Sequence, residues 1–132
     1  MRLILEGHHL PGASCGPYDD VHVGVQVRRD PTDLVRADAE SARWEVNIQV
    51  LNTPDGPDFR GPAVQGRRGE RFVYLTWGEV SGSDFTMFRR AKLMLADVPD
   101  PKAETVTARI HLTDHAGMPR CARLKPPALE WL

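Results

Sequence analysis

Apolar and polar residues alternate along much of the chain. Between residues 21 and 29, Val21, Val23, Val25 and Val27 take every second position, and His22, Gly24, Gln26 and Arg28 take the others. Successive side chains leave opposite faces of a pleated strand, so the pattern predicts a strand with one dry face and one wet face. The same rhythm sets Trp44, Val46, Ile48 and Val50 against Glu45, Asn47 and Gln49, and Val106, Ala108, Ile110 and Leu112 against Thr105, Thr107, Arg109, His111 and Thr113. One-sided strands of this kind belong to antiparallel sheets. Residues 71 to 78 differ, because Val73, Leu75 and Trp77 on one face are matched by Phe72 and Tyr74 on the other. A segment apolar on both faces predicts the most central strand.

Turn-forming residues divide these runs. Gly66-Arg67-Arg68-Gly69 and Ser81-Gly82-Ser83-Asp84 flank the central strand and predict hairpins with a short strand at residues 63 to 65 and with residues 85 to 96. The second partner also reads as a helix, but its hairpin distance and the absence of a cap favour a strand carrying a bulge. Asp114-His115-Ala116-Gly117 predicts a turn into a last strand over residues 120 to 125, ended by Pro126-Pro127. The one helical candidate is residues 30 to 43, with Thr32 as its cap and Asp33 in its first turn. Eleven Gly and eleven Pro distributed among short strands favour an all-β fold. The expectation is an antiparallel β-sandwich or flattened barrel of about seven or eight strands with at most one short helix. With 132 residues and no repeat or linker, the chain reads as one domain over residues 1 to 132.

Composition narrows the setting. Hydrophobic residues are 41% and charged residues 27%, as in ordinary globular proteins, and no apolar run is long enough to span a bilayer. The opening Met1-Arg2-Leu3-Ile4-Leu5-Glu6-Gly7 is too short in its apolar part for a secretory signal, so the expected location is the cytoplasm. Cys15 and Cys121 lack the number and spacing of a disulfide framework or zinc site, which predicts free thiols. The net charge of −1 conceals an asymmetry: residues 1 to 58 carry five Lys/Arg against ten Asp/Glu, and residues 59 to 132 carry twelve against eight. Two such segments neutralise each other when packed together, and the balance is far from that of a nucleic-acid-binding protein.

The chain resembles, over nearly its whole length, a family of small actinobacterial proteins classed as a domain of unknown function. The likeness is carried by Glu6-Gly7 with Leu10-Pro11-Gly12 and Ser14-Cys15-Gly16-Pro17, by Val21-His22-Val23-Gly24-Val25-Gln26, by Arg71-Phe72 with Tyr74-Leu75 and Trp77-Gly78, by Phe85-Thr86-Met87-Phe88-Arg89-Arg90-Ala91-Lys92-Leu93, and by Cys121-Ala122-Arg123 with Pro126-Pro127 and Trp131. The first 25 residues are also similar to the opening of C2 domains, which implies a β-sandwich; the calcium-binding aspartate loops of those domains have no counterpart here.

Candidate chemistry centres on basic residues. Arg90 and Lys92 share a face of an extended strand, and the wet faces of neighbouring strands are expected to add Arg109, Arg123 and Lys125. Cations converging without carboxylates bind anions, with guanidinium forks suited to carboxylate or phosphate. The plain alternative is a solvated sheet face or salt bridges to the acidic segment. Cys15, with His8 and His9 close by, suggests a Cys-His nucleophile against the commoner buried cysteine. His22, His111 and His115 suggest proton transfer, but no metal-ligand motif is present and no cofactor is implied. Glu6, Glu45 and Glu79 lie on separate segments with no inferable pairing. Gly66-Arg67-Arg68-Gly69 lacks the length and lysine of a phosphate loop, and Phe72, Tyr74, Trp77, Phe85 and Phe88 suit a core better than base stacking. The leading reading is a binding module that holds an anionic or carbonyl-bearing small molecule, or an acidic protein surface, on the Arg90/Lys92 face. A cofactor-free isomerase or cyclase of secondary metabolism, and a protein that pairs with itself through a strand edge as a homodimer, are the alternatives.

Overall fold

The computed structural model describes residues 1 to 8, 21 to 36, 39 to 66, 69 to 111 and 128 to 132. In chain order its strands are β1 (Arg2–His8), β2 (Val21–Val27), β3 (Asp30–Arg36), β4 (Ser41–Asn47), β5 (Gln49–Thr53), β6 (Gly56–Arg60), β7 (Val64–Gln65), β8 (Phe72–Ser81), β9 (Asp84–Met94), β10 (Thr105–His111) and β11 (Ala128–Trp131). A 3-10 turn, Leu95–Asp97, follows β9. The first sheet has the order β11-β10-β1-β4, with β1 parallel to β10 and antiparallel to β4. The second has the order β3-β2-β8-β7, with β9 along the other side of β8, and β5-β6 is a separate hairpin. Neither sheet closes into a barrel, and the architecture is sandwich-like.

Alternation places the core between the sheets. Leu3 and Leu5 of β1, Trp44 and Val46 of β4, and Val106, Ala108 and Ile110 of β10 meet Val23 and Val25 of β2, Val73 and Leu75 of β8, and Leu93 of β9, all buried. The valine face of β2 and the tryptophan-led face of β4 therefore share one interior, as the sequence pattern requires. Each such side chain contributes about 1.5–3 kcal/mol when fully buried, which makes this layer the main source of stability. The indole Nε1 of Trp44 donates to the carbonyl oxygen of Asp33 at 2.9 Å, a direct polar link between β4 in one sheet and β3 in the other. As expected, β8 is the central strand, with hairpin partners in β7 and β9.

The β8-β9 hairpin turns at Gly82-Ser83, where Gly82 takes φ 63. Its register steps from Trp77↔Arg89 to Gly78↔Met87, so Phe88 is an extra residue and β9 carries the expected bulge.

The helix expected over residues 30 to 43 does not form: β3 and the start of β4 occupy that stretch. Thr32 is not a cap, because its hydroxyl donates to the Val25 carbonyl across the β2-β3 hairpin at 3.2 Å. Arg28, with φ 59, turns the chain back along β2, and Asp33, with φ 55, lies in a bulge within β3 where Asp33 and Leu34 together oppose Gly24, a left-handed step that interrupts any helical winding. Strands also outnumber the expected seven or eight, since β1, β3 and the β5-β6 hairpin add to those read from alternation. The turn at residues 114 to 117, the strand at 120 to 125, Cys15 and Cys121 lie outside the described residues. No helix among the described residues is long and apolar enough to cross a membrane.

Two substitutions test this packing. Val25 is 2% exposed, so Val25→Asp places an unpaired carboxylate in the core and should abolish cooperative thermal melting; an unchanged melting curve would remove Val25 from the core. At Gly24 an added Cβ would lie 2.7 Å from the Thr32 carbonyl oxygen and 2.8 Å from the Leu34 side chain. Gly24→Ala should therefore cost about 1–3 kcal/mol in denaturant unfolding, since backbone oxygen yields little.

Candidate functional site

Only one face of β8 can look into the core. Val73 and Leu75 take it, which sends Phe72 and Tyr74 to the outer side of the second sheet, where their rings meet edge to face with centroids 4.7 Å apart. β9 supplies their cover. Tyr74 pairs with Lys92 and Thr76 with Arg90, so the two cations stand over the two rings. The Arg90 guanidinium carbon lies 4.2 Å from the Tyr74 centroid and the Lys92 Nζ 4.5 Å from that of Phe72. Contacts of this kind contribute about 0.5–1 kcal/mol each at exposed sites.

The two cations are not equivalent. Lys92 Nζ pairs with Glu70 Oε1 at 3.1 Å, with both side chains about half exposed. Arg90 has no carboxylate partner among the described residues. A guanidinium carries five N–H donors, and with no carboxylate to take them Arg90 has donors to offer a planar acceptor.

Arg90 sits where two grooves meet. The larger, about 540 Å³, runs over Leu34, Thr76, Phe85 and Met87; the second, about 460 Å³, runs over Phe72, Tyr74 and Lys92; Gln26 and Arg90 line both. Thr76, 1% exposed, forms part of the floor and donates its hydroxyl to the Gly24 carbonyl at 3.1 Å. Gly24 leaves the space that the Leu34 side chain fills.

The larger groove is also lined by Arg29 and Asp30, at the β2-β3 turn, and by Ser83 and Asp84, at the β8-β9 turn. Those turns lie beyond opposite ends of β2, as the pairing of Val27 with Asp30 and of Val21 with Glu79 shows. On a flat sheet they would be about 20 Å apart. Their sharing of one groove means that it runs along much of the outer face beside β2. The bulge at Phe88 bends and over-twists the hairpin, and Gly78 beside it approaches the Thr86 backbone so closely that a Cβ there would collide with it.

Arg109 lies elsewhere. It belongs to the outer face of the first sheet, opposite Glu6 of β1 and Glu130 of β11, and Glu6 is in turn opposite Arg43 of β4. One row across four strands thus alternates in sign, with Arg109 Nη1 3.8 Å from Glu130 Oε2. The Arg109 Nε is buried without a hydrogen-bond partner among the described residues. Glu45, one row away, forms an ion pair with Arg2 at 3.5 Å and accepts a hydrogen bond from Arg43 at 3.4 Å. The structure therefore brings Arg90 and Lys92 together, places Arg109 in the other sheet, and leaves Arg123 and Lys125 outside the described residues.

The candidate histidines are also divided, His8 and His111 in strands of the first sheet and His22 in β2 of the second, while His9 and His115 lie outside the described residues. Glu79, on β8, is opposite Thr86 rather than Glu6 or Glu45. Among the described residues no group of three or more His, Cys, Asp or Glu could hold a metal ion. Sequence reasoning missed Leu34, Met87, Arg29, Asp30 and Asp84 as groove residues. Met87 and Arg90 stand an odd number of positions apart, which on a regular strand puts them on opposite faces; only the bulge joins them.

No curated protein and no solved structure matches the chain. A family model does, over residues 1 to 132, and the chain belongs to DUF5990, a family of unknown function.

Proposed function

We propose that the protein is a binding module for a small anionic molecule with an apolar part, held on the outer face of the second sheet. The observation that carries this reading is Arg90, a guanidinium over the Tyr74 ring with no carboxylate partner among the described residues, at the junction of two grooves. Its free donors meet the anion; Leu34, Phe85 and Met87 meet the apolar part. Leu34 and Met87 are 37% and 48% exposed, apolar surface that a ligand would remove from water. Lys92, already neutralised by Glu70, adds little charge, so Arg90 does most of the holding. A concave groove of this volume fits a small molecule better than a broad acidic protein surface. It is open to solvent, and its carboxylates, Asp30 and Asp84, are themselves exposed, which favours binding over the water-excluded proton transfer of an isomerase or cyclase by a histidine or carboxylate.

Octanoate is a suitable probe. It should raise the melting temperature in proportion to occupancy and do so less as salt is added. Arg90→Ala should abolish the shift and change the stability of the empty protein by less than about 1 kcal/mol, because the lost interaction is exposed. Arg109→Ala should do the reverse: octanoate still shifts the melt, but the empty protein loses about 1 kcal/mol or more, as Glu6 and Glu130 are left flanking a vacated position. A shift that survives Arg90→Ala would overturn the proposal, and so would severe destabilisation of the empty Arg90→Ala protein.

A further inference from the structure

The residues that β9 gives to the larger groove come in a definite order: Asp84, Phe85, Met87, Arg90, that is, acidic, apolar, apolar, basic. Asp84, like Arg90, is exposed and has no ion-pair partner among the described residues, and the two do not pair with each other. About 17–20 Å of strand separates them. A simple carboxylate would satisfy Arg90 and leave Asp84 facing an apolar tail, and an α-amino acid carries its two charges too close together to reach both.

We infer that the groove takes a short apolar peptide with free ends, its C-terminal carboxylate on Arg90 and its N-terminal ammonium at Asp84. This rests on the reading of Arg90 given above and adds the second charge and the length of the ligand. The Arg90 guanidinium leans over Tyr74, away from the hairpin end, so an extended peptide of about five to seven residues spans the distance. Alternate peptide side chains face Leu34, Phe85 and Met87. Beyond Arg90, the β2-β3 turn offers both signs in Arg29 and Asp30, and Gln26 offers polar atoms, its amide nitrogen donating to the Arg28 carbonyl at 3.0 Å and its amide oxygen remaining an acceptor for a peptide N–H.

Calorimetric titration with the hexapeptide Ala-Leu-Phe-Leu-Ala-Leu, its N-acetylated form and its C-terminal amide separates the contributions. The free peptide should bind about fivefold or more tightly than the N-acetyl form, and the amide should not bind measurably. Asp84→Asn should bring the free peptide down to the level of the N-acetyl form and leave the latter unchanged, with the melting temperature of the empty protein unaltered. Equal affinity of the free and N-acetyl peptides for the wild type, or a preference that survives Asp84→Asn, would overturn the inference. Octanoate acting through Arg90 would in that case still uphold the anion site. If neither the peptide nor octanoate binds the wild type, both proposals fall.

Discussion

A single apolar layer holds the two sheets together, and strict alternation along each strand makes that layer decide where everything else can go. Once Leu3, Leu5, Trp44 and Ile110 face Val23, Val25, Val73 and Leu75 across it, every second residue of those strands is committed to an outer face. Chemistry in such a molecule has to be done on the outside, or at the ends of the strands.

The two outer faces solve the problem of exposed polar side chains differently. On the first sheet, Glu130, Arg109, Glu6 and Arg43 form a row of alternating sign, so each charge has an opposite neighbour one strand away and little is left to recruit a ligand. On the second sheet, two aromatic rings on the outer side of β8 are covered by two cations from β9. This arrangement hides apolar ring surface with groups that remain charged, and in Arg90 it leaves that charge unspent. The difference follows from β8, whose alternation fails: a strand with large apolar residues on both faces must have one of them covered from outside.

Much of this was legible in the sequence. The valine face of β2, the tryptophan face of β4 and the apolar face of β10 obey a period of two, and that alone established their burial. The hairpins around β8 were legible because Gly82 and the Gly66-to-Gly69 segment mark their turns. β1 was not, because Leu3, Ile4 and Leu5 are consecutive apolar residues with no alternation; Ile4 is on the outer side yet only 7% exposed. β3 was misread as helix because Thr32 and Asp33 are good cap residues whose side chain and backbone are used otherwise, in a hydrogen bond across the hairpin and a left-handed bulge within the strand. For the site, the shared face of Arg90 and Lys92 was a local inference and held. The expectation that Arg109 joins them needed to know which strands share a sheet, a long-range pairing that no local pattern encodes. The groove itself depends on which turns come to border one sheet face, and the turns that line it are some 50 residues apart in the chain.

The bulge at Phe88 has a genetic corollary. Phe85 and Met87 are odd-numbered, Arg90 and Lys92 even-numbered, and one unpaired residue between them is all that lets both sets look outward. An in-frame loss of the Phe88 codon would leave the composition of the strand almost intact while inverting one half of it relative to the other. Either the basic pair would turn toward the apolar layer, or the hairpin end would turn its two apolar residues away from the groove. Length in this segment is therefore under tighter constraint than residue identity, and descendants of this gene should accumulate substitutions along β9 far more readily than single-codon insertions or deletions.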